Sequence, residues 1–390
     1  MQRALQGHKE SVKSILSVND LMATARLFAL LATSVLLLQI TSAQTPPPVA
    51  GSFGDPLKWC PPIQKSLSDP TNVNTLRPTD FHVVAALGDS ITAGFGVGGF
   101  WGGFTEERGK SWAMGGDTNV ASLANFLGRY SPNLQGASVG SHFVEVCADY
   151  FCPSAHVPAI DHLNAAQSGA WGQNLPDQAV WLTQQMKANT KIDFEKDWKL
   201  VTILIGANNL CASCIPLINP IDTAAEFGAS MDKTLDLLAA IPRTLVNVVQ
   251  IFNLSSVYEV SKGSPYCKNV HGDFPLECEC DFSTAAHRAL ADDMASKFRT
   301  QIGISVNKAK TKSRQDWTVV LQPILSQGKI PDITYLSDLD CFHPSAYGQR
   351  ALAIAVWNCM LLPTAQKPTS WTDAMLFPLC PDNSTTIRTD

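Results

Sequence analysis

A serine directly follows a short apolar run, in the tripeptide Gly88-Asp89-Ser90. The run before it, residues 81–87 (FHVVAAL), is typical of a buried strand. A turn at the end of a strand exposes a serine hydroxyl and leaves backbone N–H groups pointing into the same space. A nucleophilic serine needs a reachable Oγ and donors for the oxyanion that develops. Ser90 is therefore a candidate nucleophile for acyl transfer.

A base for that serine is predicted near the other end of the chain, in Asp340-Cys341-Phe342-His343. A carboxylate three residues before a histidine can fold back onto the ring's Nδ1. This contact fixes the tautomer that leaves Nε2 free to take a proton. Because His343 must be neutral to act as a base, activity should fall as the pH drops through its pKa, near about 6.5 if unperturbed.

Two further residues suit the charge that develops on an ester oxygen. Asn208 follows a second apolar run, residues 200–205 (LVTILI), and its side-chain amide can donate a hydrogen bond. Gly169 can bring a bare backbone N–H close to a substrate. Taken alone, each residue is better explained without a catalytic role, Asn208 as a turn residue and Gly169 as a left-handed turn position.

Two other motifs compete with this interpretation. Gly136-Ala137-Ser138-Val139-Gly140 matches the nucleophile elbow of α/β-hydrolases, but no buried strand precedes it, so Ser138 is a poor nucleophile candidate. Gly94-x-Gly96-x-x-Gly99 matches a dinucleotide-binding fingerprint, but no clear helix follows it. We interpret that segment as a mobile loop, rich in glycine and aromatic residues, that flanks the site.

The elements that must position these residues alternate between strands and helices. Near-continuous apolar strands alternating with helices predict a parallel sheet covered on both faces, with its chemistry at the carboxyl ends of the strands. The predicted strands are 81–87, 200–205, 244–252 and 317–321. The predicted helices are 122–130, 175–187, 223–240 and 283–307.

Taken together, the four blocks resemble the SGNH, or GDSL, hydrolases. The resemblance implies a three-layer α/β/α fold with a mostly parallel, flavodoxin-like sheet. It also implies that Ser90 is the nucleophile, His343 the general base and Asp340 the residue that orients it. The oxyanion hole would consist of the N–H groups of Ser90 and Gly169 with the side chain of Asn208.

Further blocks are similar to the phospholipase B-like branch of that family. They are RGKSWAMGGD at 108–117, NLPDQ at 174–178, NLCASC at 209–214 and CEC at 278–280, and the resemblance spans roughly residues 80–360. It implies an enzyme that releases fatty acids from phospholipids or lysophospholipids and contacts a membrane or micelle surface transiently. One departure is Gly206-Ala207-Asn208-Asn209, where the more usual block is Gly-Gly-Asn-Asp. The change affects the turn after Asn208, but Asn208 itself is retained, so we expect activity to survive.

The N-terminal region predicts export. Residues 27–40 form a mostly apolar stretch after Arg26, too short for a membrane span of about 20 residues, and small residues follow it. We predict a signal peptide at 1–43, with Met22 as an alternative start and an uncleaved anchor as the alternative reading. A Pro/Gly linker at 44–56 and a single hydrolase domain at 57–390 would follow, without a C-terminal lipid anchor. The predicted glycosylation sites are Asn253 and Asn383.

Composition agrees with a secreted protein. Charged residues make up only 16% of the 390, against about 25% in an average domain. The net charge is −5, without a basic run, which argues against a nucleic-acid partner. Eleven cysteines predict structural disulfides of unknown connectivity, with at least one free thiol or an intermolecular bridge. The spacings Cys211-x-x-Cys214 and Cys278-x-Cys280 also fit a zinc site or a redox pair.

Two alternatives to a phospholipase stay open. The first is a short-chain carboxylesterase or a carbohydrate acetylesterase, which a preference for short acyl groups would reveal. The aromatic loop with Phe95, Phe100, Trp101 and Phe104 favours lipid, although it is equally interpreted as a packed lid. The second is a catalytically inactive binding protein, which a serine-directed probe would leave unlabelled. The serine hydrolase mechanism implies no metal and no cofactor, and the oligomeric state is open.

Overall fold

Four apolar runs of the sequence form a parallel sheet in the computed structural model, which describes residues 56–147, 152, 156–216, 223–273, 277–370 and 377–390. Its strands are β1 Phe81–Gly88, β4 Trp198–Leu204, β5 Thr244–Val249 and β6 Trp317–Gln322. They lie in the order β1-β4-β5-β6 across the sheet. A two-stranded antiparallel sheet consists of β2 Thr105–Glu106 and β3 His142–Phe143. The predicted signal peptide and residues 44–55 of the predicted linker lie outside the described residues.

The four predicted strands are therefore confirmed, with small shifts at their ends. Nearly every residue of each strand is buried, because helices cover both faces of the sheet. Such strands have no alternation of polar and apolar residues, which is why their apolar runs are continuous. The third strand ends at Val249 instead of residue 252, and the chain then turns towards the helix that begins at Ser255.

Twelve α-helices are assigned among the described residues. They are α1 Ser90–Ala93, α2 Gly99–Gly102, α3 Leu123–Tyr130, α4 Pro158–Asp161, α5 Leu175–Ala188, α6 Ala207–Ala212, α7 Ala224–Ala239, α8 Ser255–Ser261, α9 Pro265–Asp273, α10 Glu279–Phe282, α11 Ala285–Lys310 and α12 Ala346–Leu361. The long helices α5, α7 and α11 pack side by side, and α3 packs against α12. These helices flank the sheet, as the predicted three-layer α/β/α fold requires.

Helix α12 was not among the predicted helices. Most of its 16 residues are buried, so it has no polar face and no amphipathic period to detect. Its N-terminus is set by Ser345, whose Oγ accepts a hydrogen bond from the N–H of Gly348 at 3.2 Å. Since His343 lies just before this cap, the buried helix fixes the place of the predicted general base.

A segment beside β1 covers the strand's free edge. The N–H of Val84 donates to the carbonyl of Gln135 at 2.9 Å, and the N–H of Ala86 donates to the carbonyl of Leu163 at 3.2 Å. The N–H of Gln167 donates to the carbonyl of Gly88 at 3.2 Å. These bonds bring the segment that leads to Gly169 beside the carboxyl end of β1.

Ten of the eleven cysteines form disulfides, and Cys359 is a buried free thiol. The pairs are Cys60–Cys380, Cys147–Cys152, Cys211–Cys278, Cys214–Cys280 and Cys267–Cys341. The prediction of structural disulfides is confirmed. The zinc and redox interpretations of the two close cysteine pairs are wrong, because each cysteine pairs with a partner from the other motif.

The two predicted glycosylation sites differ in exposure. Asn383 is exposed, whereas Asn253 is half-buried and its buried Oδ1 has no hydrogen-bond partner among the described residues. Asn383 therefore offers the more accessible amide, and both sites stay predictions. In the part of the chain that the structure describes, no helix combines the length and the apolar character that crossing a bilayer requires.

Candidate active site

Ser90 begins a single helical turn at the carboxyl end of β1, and the residue is only 5% exposed. Asp89 caps this turn, since its Oδ1 accepts a hydrogen bond from the N–H of Ile91 at 3.1 Å. The turn ends at Gly94, whose φ of +83° is left-handed and favours glycine. The N–H of Ser90 donates to no other described residue, as expected at the first position of a helix.

His343 connects Ser90 to Asp340. Its Nε2 lies 2.7 Å from the Oγ of Ser90, and its Nδ1 lies 2.7 Å from the Oδ2 of Asp340. The Oδ1 of Asp340 accepts hydrogen bonds from the N–H groups of Phe342 at 2.9 Å and His343 at 3.0 Å. The fold thus brings together a serine and a histidine that are 253 positions apart in the chain.

These contacts fix the protons when His343 is neutral. The Nδ1–H donates to Asp340, and Nε2 accepts the hydroxyl proton of Ser90. Burial disfavours the imidazolium, but the carboxyl groups of Asp340 and Glu277 outweigh this effect and raise the pKa of His343 above its ordinary value. Burial also opposes ionisation of Asp340, but the nearby His343 lowers the pKa of that carboxyl. His343 is therefore a stronger base than an unperturbed histidine.

Gly169 and Asn208 lie beside each other near Ser90. The side-chain Nδ2 of Asn208, just after β4, donates to the carbonyl of Ala170 at 2.9 Å. Gly169 has a φ of +77°, and a Cβ there would lie 2.5 Å from the carbonyl oxygen of Cys147. Only glycine fits this backbone without a shift. The N–H of Gly169 donates to no other described residue, so it is available to a ligand.

Asn209, the residue that departs from the usual block, is fully buried. Its Oδ1 accepts a hydrogen bond from the N–H of Gly172 at 2.9 Å, and its Nδ2 donates to the Oε1 of Gln173 at 3.0 Å. An amide satisfies both contacts, whereas a carboxylate only accepts. The turn is therefore well formed with asparagine, and Asn208 keeps its place.

A buried set of charged groups lies behind Gly169, and we call it the Arg108 cluster: Glu106, Arg108, His142 and Asp161. The Nε of Arg108 lies 3.0 Å from Glu106 Oε2 and 3.2 Å from Asp161 Oδ1. Glu106 Oε1 accepts from the N–H and the Oγ of Ser168, at 3.2 and 2.6 Å. The cluster thus fixes the residue that precedes Gly169. Sequence reasoning noted Arg108 only as part of a family block.

The glycine- and aromatic-rich loop flanks His343, as predicted. The rings of Phe95 and His343 meet edge to face, with centroids 4.8 Å apart. A Cβ on Gly96 would lie 2.9 Å from the Cβ of His343, so glycine permits this close approach. A one-turn helix, Gly99–Gly102, follows the Gly-x-Gly-x-x-Gly motif, in place of the long helix of a dinucleotide site.

Ser138 does not share this site. It is fully buried, and its Oγ donates to the carbonyl of Asp161 at 2.8 Å. The Ser138 hydroxyl thus satisfies a buried carbonyl and has no base among the described residues that it contacts. This is the geometry of a structural residue.

Glu277 is a part of the site that sequence reasoning missed. Its Oε1 lies 3.6 Å from the Nδ1 of His343, on the same ring nitrogen that donates to Asp340. Burial raises the pKa of Glu277 above its ordinary value and the charge of Asp340 adds to this effect, while the nearby His343 opposes it. The only sequence signal was its position before Cys278, whose disulfide partner the spacing did not reveal.

Exposed apolar side chains occur on segments next to these residues. Trp101 is 91% exposed and Phe100 39%, on the turn whose Phe100 N–H donates to Asp338 at 2.9 Å. Phe143 is 66% exposed and Val146 60%, on the segment that bridges to Ser168. Segments next to both the acid–base residues and Gly169 therefore carry apolar surface.

Comparison with known proteins agrees with this geometry. A family model described as GDSL-like lipase/acylhydrolase matches residues 84–356. The chain is 36% identical over 330 residues to the Homo sapiens protein named phospholipase B1, membrane-associated, and 34% identical over 326 residues to the Mus musculus protein of that name. These matches cover 80% and 79% of this chain but only 21% of each relative.

The chain therefore spans about a fifth of the length of the curated relatives it matches. The family match covers more than half of this chain and includes all the blocks that the sequence singled out. It runs from β1 to α12, so it also contains both residues that hydrogen-bond to His343. The chain belongs to the GDSL-like lipase/acylhydrolase family, in its phospholipase B-like branch.

Proposed function

We propose that this chain hydrolyses the carboxylic ester bonds of phospholipids or lysophospholipids, with Ser90 as nucleophile. The observation that carries the proposal is the hydrogen-bonded series from Ser90 Oγ through His343 to Asp340, with both contacts at 2.7 Å. Family membership supports ester hydrolysis as the reaction class.

The reaction would proceed in two acyl transfers. Ser90 Oγ attacks the ester carbonyl while His343 Nε2 takes its proton, and the alcohol leaves with that proton from the imidazolium. Water then attacks the acyl-enzyme, His343 again takes the proton, and the fatty acid leaves as the proton returns to Ser90. Asp340 holds the ring and stabilises the imidazolium in both steps.

The developing oxyanion needs donors fixed in advance. The N–H groups of Ser90 and Gly169, which donate to no other described residue, support a role for both. Asn208 uses one amide hydrogen on Ala170, which orients the side chain and leaves the second hydrogen for the substrate. We assign the oxyanion hole to these three groups.

Two observations support a lipid substrate over a small ester. The relatives are named phospholipase B1, membrane-associated. The exposed Trp101, Phe143 and Val146 lie on segments that adjoin the site, where a lipid surface would cover apolar area that water now meets. Five disulfides support an oxidising, extracellular compartment.

The test measures fatty-acid release from phosphatidylcholine and its lysophospholipid by the wild type, Ser90→Ala and Ser138→Ala. We expect Ser90→Ala to lose more than about 10³-fold in rate and Ser138→Ala to stay active. Cleavage of a short-chain ester alone, through Ser90, would retain the mechanism and reject the lipid assignment. An unreactive wild type that a fluorophosphonate probe leaves unlabelled would favour the binding-protein alternative.

A paired substitution tests the lipid surface. Trp101→Ala should lower the rate on vesicles by about tenfold, the factor that about 1.4 kcal/mol of lost apolar burial gives. It should leave a soluble short-chain ester unaffected. Trp59→Ala is the matched control, because Trp59 is 83% exposed beside the Cys60–Cys380 disulfide. Equal effects of the two substitutions would argue against a contact surface at Trp101.

A further inference from the structure

Two carboxyl groups converge on one nitrogen of His343. Asp340 Oδ2 is 2.7 Å from Nδ1 and Glu277 Oε1 is 3.6 Å from the same atom. A carboxylate oxygen of Glu277, a carboxylate oxygen of Asp340 and a ring nitrogen of His343 all lie within 4.8 Å of one another. We call these three residues the acid–base cluster. The Nδ1–H of His343 donates to Asp340. Glu277 is therefore an additional carboxyl at the edge of the ring, and the Ser-His-Asp mechanism does not use it.

Disulfides fix this arrangement from two directions. Cys278, the residue after Glu277, pairs with Cys211 on α6, the helix that also carries Asn208. Cys341, between Asp340 and His343, pairs with Cys267 on α9. The segment with Glu277 and the loop with His343 are therefore each bonded covalently to a neighbouring helix. The two disulfides thus hold the backbone next to Glu277 and the backbone next to His343.

In the described part of the chain, no lysine or arginine forms an ion pair with the members of the acid–base cluster. The other titratable groups that face it are Asp89, on the Ser90 turn, and His271 of α9, whose Nε2 lies 3.0 Å from the carbonyl oxygen of Asp340. Tyr266, also on α9, donates to the carbonyl of Asp338 at 2.6 Å. Among the described residues, the imidazolium of His343 is therefore the cation that contacts both carboxyls.

We propose that Glu277 is a positioning residue of the acid–base cluster, which holds His343 against Asp340 and stabilises the imidazolium that forms when Ser90 gives up its proton. This inference rests on the proposed function of Ser90 and His343. Glu277 acts through the ring and does not contact the ester. A purely structural carboxyl would be costly here, because it is largely buried next to a second carboxylate.

The sign of the effect follows from charge. Loss of the Glu277 carboxyl removes a group that raises the pKa of His343, so the ring should lose its proton at a lower pH. The imidazolium is then less stable, and the rate at high pH should fall. We expect Glu277→Gln to move the acid limb of the kcat/KM profile down by about one pH unit and to lower the plateau about tenfold.

The experiment compares Glu277→Gln with Glu279→Gln, the same change two residues away on the same disulfide-bonded segment. The side-chain NMR signals of His343, assigned with a His343→Gln variant, are titrated in a Ser90→Ala background. Kinetic profiles are measured with Ser90 intact. A downward shift of the His343 titration in Glu277→Gln alone is the expected result. An unmoved titration would overturn the inference even if the plateau rate falls.

The NMR titration of His343 and the kinetic pH profile test this inference and the proposed function separately. The titration of His343 does not need turnover, so it tests Glu277 even if the chain cleaves no ester. If Glu277→Gln does not fold, Glu277→Asp takes its place, since it keeps the charge and withdraws the carboxyl by one methylene. An intermediate shift in Glu277→Asp would support the role of Glu277, and a titration equal to that of the parent would contradict it.

Discussion

The molecule buries two clusters of charged groups next to the candidate active site, one beside Ser168 and one around His343, and they are built differently. The Arg108 cluster holds a guanidinium between Glu106 and Asp161. The acid–base cluster instead places two carboxyls on one imidazole. Burial opposes ionisation of Asp161, but His142, His156 and Arg108 together hold the pKa of that carboxyl well below its ordinary value.

This difference suits the Arg108 cluster to structural support and the acid–base cluster to proton transfer. A guanidinium does not titrate in the physiological range, so the positive charge that Arg108 places between Glu106 and Asp161 is fixed. An imidazole gains and loses a proton near neutrality, so the charge of the acid–base cluster would change during the proposed reaction. Substitutions in the first cluster should therefore affect stability, and substitutions in the second should affect the rate and its pH dependence.

The largest expected effect is that of Asp340→Asn. The new Oδ1 can still accept from the N–H groups of Phe342 and His343, so the fold should persist. The amide nitrogen would face Nδ1 with its own hydrogens and favour the wrong tautomer. We expect kcat to fall about 10⁴-fold, with an unfolding curve close to that of the wild type. A variant within tenfold of wild-type activity would refute the role of Asp340.

Arg108→Met is the matching test of the other cluster. It leaves Glu106 and Asp161 as buried carboxylates without their shared cation. Urea denaturation should show a loss of about 3–5 kcal/mol in the free energy of unfolding. Arg388→Met, at an exposed pair with Asp390, is the control and should leave the midpoint nearly unchanged. Similar midpoints for both variants would show that the Arg108 cluster does not support the fold.

Ser168→Ala tests how the Arg108 cluster reaches the site. It removes a 2.6 Å hydrogen bond to the Glu106 carboxylate, with an expected cost of about 1.5–3 kcal/mol in unfolding free energy. The plateau rate should fall, because Gly169 is less well held, while the acid limb stays in place. Ser138→Ala removes an equally buried hydroxyl from a neutral carbonyl and serves as control. If Ser168→Ala shifted the acid limb of the kcat/KM profile, the Arg108 cluster would also affect the titration of His343, and the proposed difference between the two clusters would be wrong.

The pH profile of the wild type sharpens the comparison further. His343 must be neutral to accept a proton, and its pKa is raised by Asp340 and Glu277 against the effect of burial. Below that pKa, kcat/KM should fall about tenfold per pH unit, with a midpoint above the ordinary value of about 6.5. A midpoint at or below about 6.5, measured with a soluble ester, would contradict the raised pKa.

Most of the scaffold was predictable because each element has a local signal. The strands that end at Gly88 and Leu204 are continuous apolar runs, and helix Leu175–Ala188 begins with a proline in its first turn. Helix Ala346–Leu361 was missed, since burial on all sides removes the periodicity that reveals a surface helix. The alternation of polar and apolar residues along a segment shows which face is exposed, and a helix buried on all sides has no such alternation.

By itself, the sequence determined the candidates for chemistry: Ser90, Gly169, Asn208, Asp340 and His343 all follow from strand ends, short spacings and family blocks. Only the tertiary structure decided that Cys278 pairs with Cys211 and that Glu277 thereby reaches His343. It also decided that Arg108 supports the segment before Gly169. The reason is physical: covalent spacing acts over a few residues, whereas disulfide pairing and burial of charge depend on distances that exist only after the chain has folded.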